Sequence, residues 1–206
     1  MTLGFVRPAR LGDVVEITRI QLTTWRVAYR RLLPKHILDQ LDEDWITRRW
    51  RDAIAQPPSP EHRVLVAVEQ QESSAAGPES AYVVGFLASG PADDTALAPD
   101  EDHTTADEAL KGVAAITDLL VEPRWGRRGH GSRLLAAGVD LWRTDGFTTA
   151  LAWTFSDDSV TRRFLESSGW APDGVSRSLD VDDLLVPQIR WHVSLEAGSE
   201  ASVTTM

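Results

Sequence analysis

The hydrophobic positions of this chain change period several times, and each change marks an element. Phe5 and Val6 form a short extended segment that ends near Pro8. From Asp13 the pattern turns helical, with Val14, Ile17 and Ile20 on one side and acids near the start. Trp25 and Tyr29 extend that helix at a spacing of four, which puts both on one face. Pro34 suits the first turn of a second helix carrying Ile37, Leu38 and Leu41. Ile46, Trp50 and Ile54 mark a third, ended by the Pro57-Pro58 pair. The runs Val64 to Val68 and Tyr82 to Ala88 read as buried strands joined by a flexible hairpin loop, QQESSAAGPES. Another strand covers 114–121, and a helix from Ser132 to about 145 carries Leu135, Val139 and Trp142. A strand follows from Thr149 to Phe155, then a helix opened by Asp157-Asp158 and closed by Gly169. Ile189, Trp191, Val193 and Leu195 alternate with polar residues, as a half-buried strand does. The pattern predicts one mixed α/β domain over residues 1–196, with a flexible tail at 197–206.

Composition narrows the class. At 206 residues the chain supports one domain with a sizeable core, and its apolar content and eight tryptophans are those of a globular protein. The formal charge of −10 argues against nucleic acid or an anionic membrane as partner, since either wants a basic face. The absence of cysteine removes disulfides, thiolate metal sites and a cysteine nucleophile. The five histidines show no metal-ligand spacing. The opening MTLGFVRPARLGD lacks a signal-peptide core and no apolar run reaches membrane-spanning length, so a cytoplasmic location is expected. Residues 91–108 hold seven acids and no lysine or arginine, and read as an acidic surface insert too polar to bury a core.

One stretch departs from this acidic background. In ITDLLVEPRWGRRGHGSRLL, residues 116–135, an apolar strand stops at Pro123, Gly129 and Gly131 flank His130, and a helical pattern opens at Ser132. Arg124, Arg127, Arg128 and Arg133 crowd the loop with no acid among them. Glycines let backbone approach an anion, and a helix's first turn offers unpaired N–H groups and a positive dipole end. Together these make a seat for a phosphate or diphosphate. Asp118, an acid inside the apolar strand beside this loop, is the candidate general base, because burial would raise its pKa toward neutrality. The alternative is that Asp118 is bonded to nearby backbone or simply faces water. Strict alternation sets Asp118 on the opposite face from Ala115. Trp25, Tyr29 and Trp153 are candidates to wall an acceptor pocket, where a cation–π contact suits an amine, although aromatics also serve simply as core.

These segments, in this order, resemble the GNAT superfamily of N-acetyltransferases. The match lies in Gly126-Arg127-Arg128-Gly129-His130-Gly131, within the V-x-P…G-x-G-x-x-L-L frame from Val121 to Leu135, and in RRFLESSGW at residues 162–170. The opening VRPAR and the segment TWRVAYRRLLP add to it, so the resemblance spans roughly residues 5–195. It implies a mixed, mostly antiparallel twisted sheet of about seven strands flanked by helices, with acetyl-CoA as co-substrate and no metal. It implies that the backbone of Leu119, Leu120 and Val121 pairs with the pantetheine amides, and that the amides of Arg127, Arg128, Gly129, His130, Gly131 and Ser132 hold the diphosphate. Asp158 stands where the family often has asparagine at the cofactor. The acceptor is an amine of a small molecule or peptide, and a homodimer is compatible with the family.

Besides Asp158, three further positions depart from the family pattern. Gly126 replaces the usual Gln or Arg, Leu165 replaces a frequent tyrosine acid, and Ala115 replaces a frequent glutamate base. Tyr29 is then the substitute acid, since the other tyrosine, Tyr82, lies on a different segment. Two function classes follow: direct acetyl transfer to an amine, or acyl-CoA binding without catalysis. A dinucleotide-binding enzyme fits poorly, because position 134 is Leu rather than a third Gly and the loop lies past the chain's midpoint.

Overall fold

The computed structural model describes residues 3–71, 80–101 and 106–196; the tip of the expected hairpin loop, part of the acidic insert and the expected tail at 197–206 lie outside the described residues. Seven strands form one sheet: β1 (Leu3–Pro8), β2 (Arg63–Gln71), β3 (Ser80–Pro91), β4 (Val113–Val121), β5 (Thr149–Phe155), β6 (Ala171–Val181) and β7 (Leu184–Ser194). Their spatial order is β1-β2-β3-β4-β5-β7-β6. Every neighbouring pair is antiparallel except β4 with β5. The helices are α1 (Val14–Ala28), α2 (Lys35–Asp39), α3 (Glu43–Ala55), α4 (Ala106–Ala109), α5 (His130–Thr144) and α6 (Ser159–Ser167).

Period-two alternation gives the sheet two apolar faces, and each is covered by helices. Leu65 and Ala67 of β2, with Val84 and Leu87 of β3, pack against Leu134, Leu135 and Trp142 of α5. Val66, Val68, Phe86 and Ala88 point the other way, onto Val14, Ile17 and Ile20 of α1 and Ile46 and Trp50 of α3. Two of the buried indoles are satisfied within this core: Trp142 Nε1 donates to Ser89 Oγ at 3.0 Å and Trp50 Nε1 to Gln21 Oε1 at 2.6 Å.

Two sequence expectations are corrected. The strand at 189–195 is the second half of a longer one, and its hairpin partner β6 carries no apolar pattern to announce it. APDGVSRSLDV is mostly polar because β6 is an edge strand paired on one side only. The acidic insert also buries more than its composition suggests. Ala96, Leu97 and Ala98 are buried, and Glu101 is clamped by Arg190 through contacts of 2.7 and 2.9 Å. Small apolar residues between acids suffice once an arginine on the sheet neutralises one of those acids.

Candidate active site

The parallel pairing of β4 and β5 covers only Val113–Ile116 against Thr149–Ala152. Beyond it β5 continues against β7, with Trp153 opposite Arg190 and Phe155 opposite Gln188. β4 continues against β3, with Leu119 opposite Leu87 and Val121 opposite Gly85. The two strands therefore part, and a wedge opens in the middle of the sheet. Its local cause is a bulge: Ser89 faces Ile116 and Ala88 faces Asp118, so Thr117 has no partner. An extra residue bends its strand and increases local twist. Thr117 Oγ1 donates to the Ala88 carbonyl at 3.2 Å and ties the bulge down.

The bulge overturns one expectation. Ala114 belongs to the α5-side core and Ile116 packs against it, so Ala115 points to the α1 side. Asp118 sits opposite Ala88, whose side chain is also on the α1 side. Skipping Thr117 brings Ala115 and Asp118 onto the same face. Strict alternation misses this because a bulge leaves no mark in the hydrophobic pattern.

At the wide end of the wedge lies a cavity of about 590 Å³, lined by Leu119, Leu120, Val121, Arg127, Gly129, His130, Gly131, Ser132 and Asp158 together with Tyr29, Thr161 and Phe164. The chain leaves β4 through Glu122, whose carboxylate takes both Arg19 nitrogens at 3.0 Å and Arg124 Nε at 2.8 Å. Burial opposes the charge, but these arginines hold the Glu122 carboxyl below its ordinary value. Arg127 and Gly129 then take left-handed backbone, φ 61° and 78°, and α5 begins at His130, two residues before the sequence pattern suggests. Glycine removes the steric cost at 129, whereas Arg127 bears it. Among the described residues none accepts a hydrogen bond from the amides of Arg127 to Ser132. A side chain added at Gly131 would meet the Phe164 ring at 3.4 Å. Arg128 lies over the Trp125 ring, 4.8 Å from its centroid, outside the cavity lining, and Arg133 Nη2 closes the loop on the Arg128 carbonyl at 2.9 Å. Among the described residues Arg127, Arg128 and Arg133 have no acid partner.

The His130 ring turns away from this cavity's solvent, 1% exposed, with Nε2 3.3 Å from Glu69 Oε2 and no hydrogen bond at either nitrogen. Burial first, and then Arg133, hold its pKa below the ordinary value, so it stays neutral. What His130 offers the loop is its backbone amide.

A second cavity of about 260 Å³ continues the wedge and shares Tyr29, Leu119, Leu120, Asp158 and Thr161 with the first. Trp25, Asp118, Trp153 and Phe155 line it, with Leu33, Leu179 and Gln188, which the sequence pattern did not single out. Burial raises the Asp118 carboxyl to about 6, against the opposing pull of Arg49, whose nearest nitrogen is 4.0 Å away, and of Thr117. Burial likewise raises the Tyr29 phenol, and the negative charges of Asp158 and Asp118 raise it further. Asp158 is spoken for locally: Oδ1 accepts from the Val160 and Thr161 amides and Oδ2 from Thr161 Oγ1, capping α6. Aspartate at a helix start caps the amides two and three residues on, and that signal could have pointed to Thr161. Trp153 presents one face to Arg177, 4.1 Å from the ring centroid, so an internal cation already occupies that face.

A split between two parallel strands, with a bulge on one and a helix-opening loop at its mouth, is the geometry to set beside known proteins. The GNAT acetyltransferase family model matches residues 20–170. This chain belongs to the GNAT acetyltransferase family. The Bacillus subtilis (strain 168) protein named "Uncharacterized N-acetyltransferase YuaI" is 24% identical over 153 residues, covering 74% of this chain and 72% of the relative. PaiA N-acetyltransferase from Thermoplasma acidophilum, solved in complex with coenzyme A, superposes with a TM-score of 0.64 at 12% identity, covering 93% of this chain and 99% of that one. YncA from Salmonella typhimurium, solved with its cofactor acetyl-CoA, gives 0.64 at 16% identity over 98% and 99%. The sheet of seven strands with a single parallel pair is the GNAT fold. Acetyl-CoA is the co-substrate.

Proposed function

We propose that residues 1–196 act as one N-acetyltransferase unit that moves an acetyl group from acetyl-CoA to the amine of a small acceptor by direct attack. The observation that carries this reading is adjacency: the cavity at the unpaired amides of Arg127–Ser132 and the cavity at the Asp118 carboxyl share five lining residues. Bound acetyl-CoA supplies an acyl thioester, whose C–S bond breaks as the C–N bond to the acceptor forms. The amides of residues 127–132 and the guanidinium of Arg128 hold the diphosphate, and the free edge of Leu119–Val121 hydrogen-bonds the pantetheine arm. The glycine-lined cradle, the unpaired amides and the surplus arginines fit that group. Asp158 lines both cavities and, by fixing the start of α6, positions Thr161 and Phe164 against the cofactor arm.

Asp118 takes the proton from the acceptor's ammonium, directly or through water, because a carboxyl near 6 is ionised at neutral pH yet more basic than an exposed one. Tyr29 stays a neutral phenol and serves as a hydrogen-bond donor at the departing sulfur; with its pKa raised, full proton transfer to a thiolate is uphill. Trp25 and Trp153 exclude water from the acceptor. The chain has no cysteine, which favours a ternary complex over a thiol-bound acyl-enzyme. Thiol release measured across an amine panel, with acetyl-CoA and acceptor varied together, should give intersecting rather than parallel initial-rate lines. Parallel lines, or an acetylated protein mass without acceptor, would overturn direct attack. A second reading, acyl-CoA binding without catalysis, is favoured by Leu165, which is buried at the acceptor cavity where a phenol would otherwise lie. Tight CoA binding with no turnover of any amine would establish it.

A further inference from the structure

The acceptor cavity leaves an incoming molecule little free polar chemistry. Trp25, Tyr29, Trp153 and Phe155 wall it, together with Leu33 and Leu179. Three of these rings brace one another: Tyr29 meets Phe155 edge-on, with centroids 4.9 Å apart at 82°, and Trp25 lies 6.2 Å from Tyr29. The neutral polar side chains of the lining are already engaged inside the protein. Thr117 Oγ1 donates to the Ala88 carbonyl and Thr154 Oγ1 accepts from Trp191 Nε1 at 2.9 Å. Thr161 Oγ1 donates to Asp158, and Gln188 Oε1 accepts from Arg177 Nε at 2.8 Å.

Among the described residues the charged groups of the lining are Asp118 and Asp158, and no lysine, arginine or histidine joins them. Arg177 and Arg190 lie over the Trp153 ring but are not part of the lining. Asp158 is spent on α6, where its two oxygens take the Val160 and Thr161 amides and the Thr161 hydroxyl. Asp118 is not spent. Its side chain is 11% exposed, and Arg49 Nη2 stands 4.0 Å away, at the outer limit of an ion pair. The pocket therefore offers one carboxylate for one ammonium and hydrocarbon for everything else. A carboxylate on the acceptor would be buried beside two acids with no counter-charge. A second ammonium would exchange its hydration for ring faces alone, an attraction smaller than the hydration lost. At about 260 Å³ the pocket falls below the range of drug-sized sites, and the acetyl group shares it, so the apolar body is compact.

We propose that the acceptor is a compact apolar primary monoamine, an arylalkyl or branched alkyl amine without an anionic group, whose ammonium meets Asp118 while its hydrocarbon body fills the aromatic pocket. This rests on the acetyltransferase reading above and adds the acceptor class to it. The ammonium loses two protons as the C–N bond forms and the C–S bond breaks: one goes to Asp118, the other through water to the departing CoA thiolate. The neutral amide that results no longer carries the charge that held the amine.

The test begins with binding rather than turnover. The CoA-loaded protein is titrated, by calorimetry and tryptophan fluorescence, with matched pairs: isopentylamine against L-leucine, phenethylamine against L-phenylalanine, and pentylamine against cadaverine. In at least one amino-acid pair the monoamine should bind about tenfold or more tighter than its partner, and cadaverine should bind more weakly than pentylamine. Leu179→Arg places a guanidinium on the wall and should narrow the gap between amine and amino acid; the comparison in the parent protein stands whether or not that variant folds. In thiol-release assays the favoured monoamine should show a KM about tenfold or more below that of its amino acid. Amino acids or cadaverine binding as tightly as the monoamines, or no binding of any monoamine, would overturn the acceptor class; thiol release toward other amines would then leave acetyl transfer standing. Selective monoamine binding with no thiol release toward any amine would instead overturn the transferase reading and leave the selectivity of the pocket intact.

Discussion

At Asp118 the carboxyl is withdrawn from water and raised to about 6, and two measurable consequences follow. Its charged form is the working base, so kcat/KM should rise as pH climbs through about 6, and Asp118→Asn should lose that inflection along with about 10²-fold or more of the rate while CoA affinity holds. The sign for stability is the reverse. A carboxyl whose folded pKa lies above its unfolded value disfavours the native state once pH exceeds both, by up to about 3 kcal/mol. Below the unfolded value the two states are protonated alike and the effect vanishes. Asp118→Asn should therefore melt higher than the parent at pH 8 and about equally at pH 3.5, by scanning calorimetry. Arg128 belongs to the same scale: stacked on Trp125 without an acid partner, it leaves its charge available to a diphosphate. Arg128→Glu should weaken CoA binding about tenfold or more by calorimetry. The types of these residues, and the reason for wanting them, were legible in the sequence. Their surroundings were not: Arg49 and Glu69 reach the site from α3 and β2, and no local spacing connects them to it.

Among the elements, the bulged strand decides where chemistry is possible. The apolar run at 114–121 identifies β4, and the glycine loop identifies the start of α5 to within two residues. Neither tells that Thr117 drops out of register, because a threonine in a strand looks the same whether it is paired or bulged. Deleting Thr117 would join Ile116 and Asp118 into a regular ladder opposite Ser89 and Ala88. The core contacts survive that change, but the bend that parts β4 from β5 does not. The deletion variant should keep a cooperative thermal transition and native far-UV dichroism, and should lose at least about tenfold in CoA affinity. β6 is the other element that sequence periodicity passed over, for the reason that edge strands use polar residues to resist further pairing.

For the molecule as a whole, formal charge and local charge point in opposite directions. A net −10 repels polyanions, yet Arg127, Arg128 and Arg133 gather at one mouth with no acid partner among the described residues. CoA binding should consequently weaken as salt rises from low to high ionic strength, while still favouring the folded form. At a CoA concentration about 100 times Kd, mass action contributes about 2.7 kcal/mol and lifts Tm by roughly 5–10 °C for a chain of this size; no shift under those conditions would count against the seat. His36 Nε2 and Asp182 Oδ2, 2.6 Å apart, join the segment after α1 to the β6–β7 turn, the two sides that contribute Leu33 and Leu179 to the acceptor cavity. The acidic insert enters the same wall from outside. The Ala96 carbonyl receives Trp153 Nε1 and Arg190, the Thr95 carbonyl receives Arg177, and Glu101 answers Arg190. A segment whose composition suggests mere decoration thus sets the angle of the Trp153 indole that lines this cavity. Sequence drift in that loop can retune which compounds are modified without disturbing a single sheet residue, and swapping it between relatives offers a short route to redesigned selectivity.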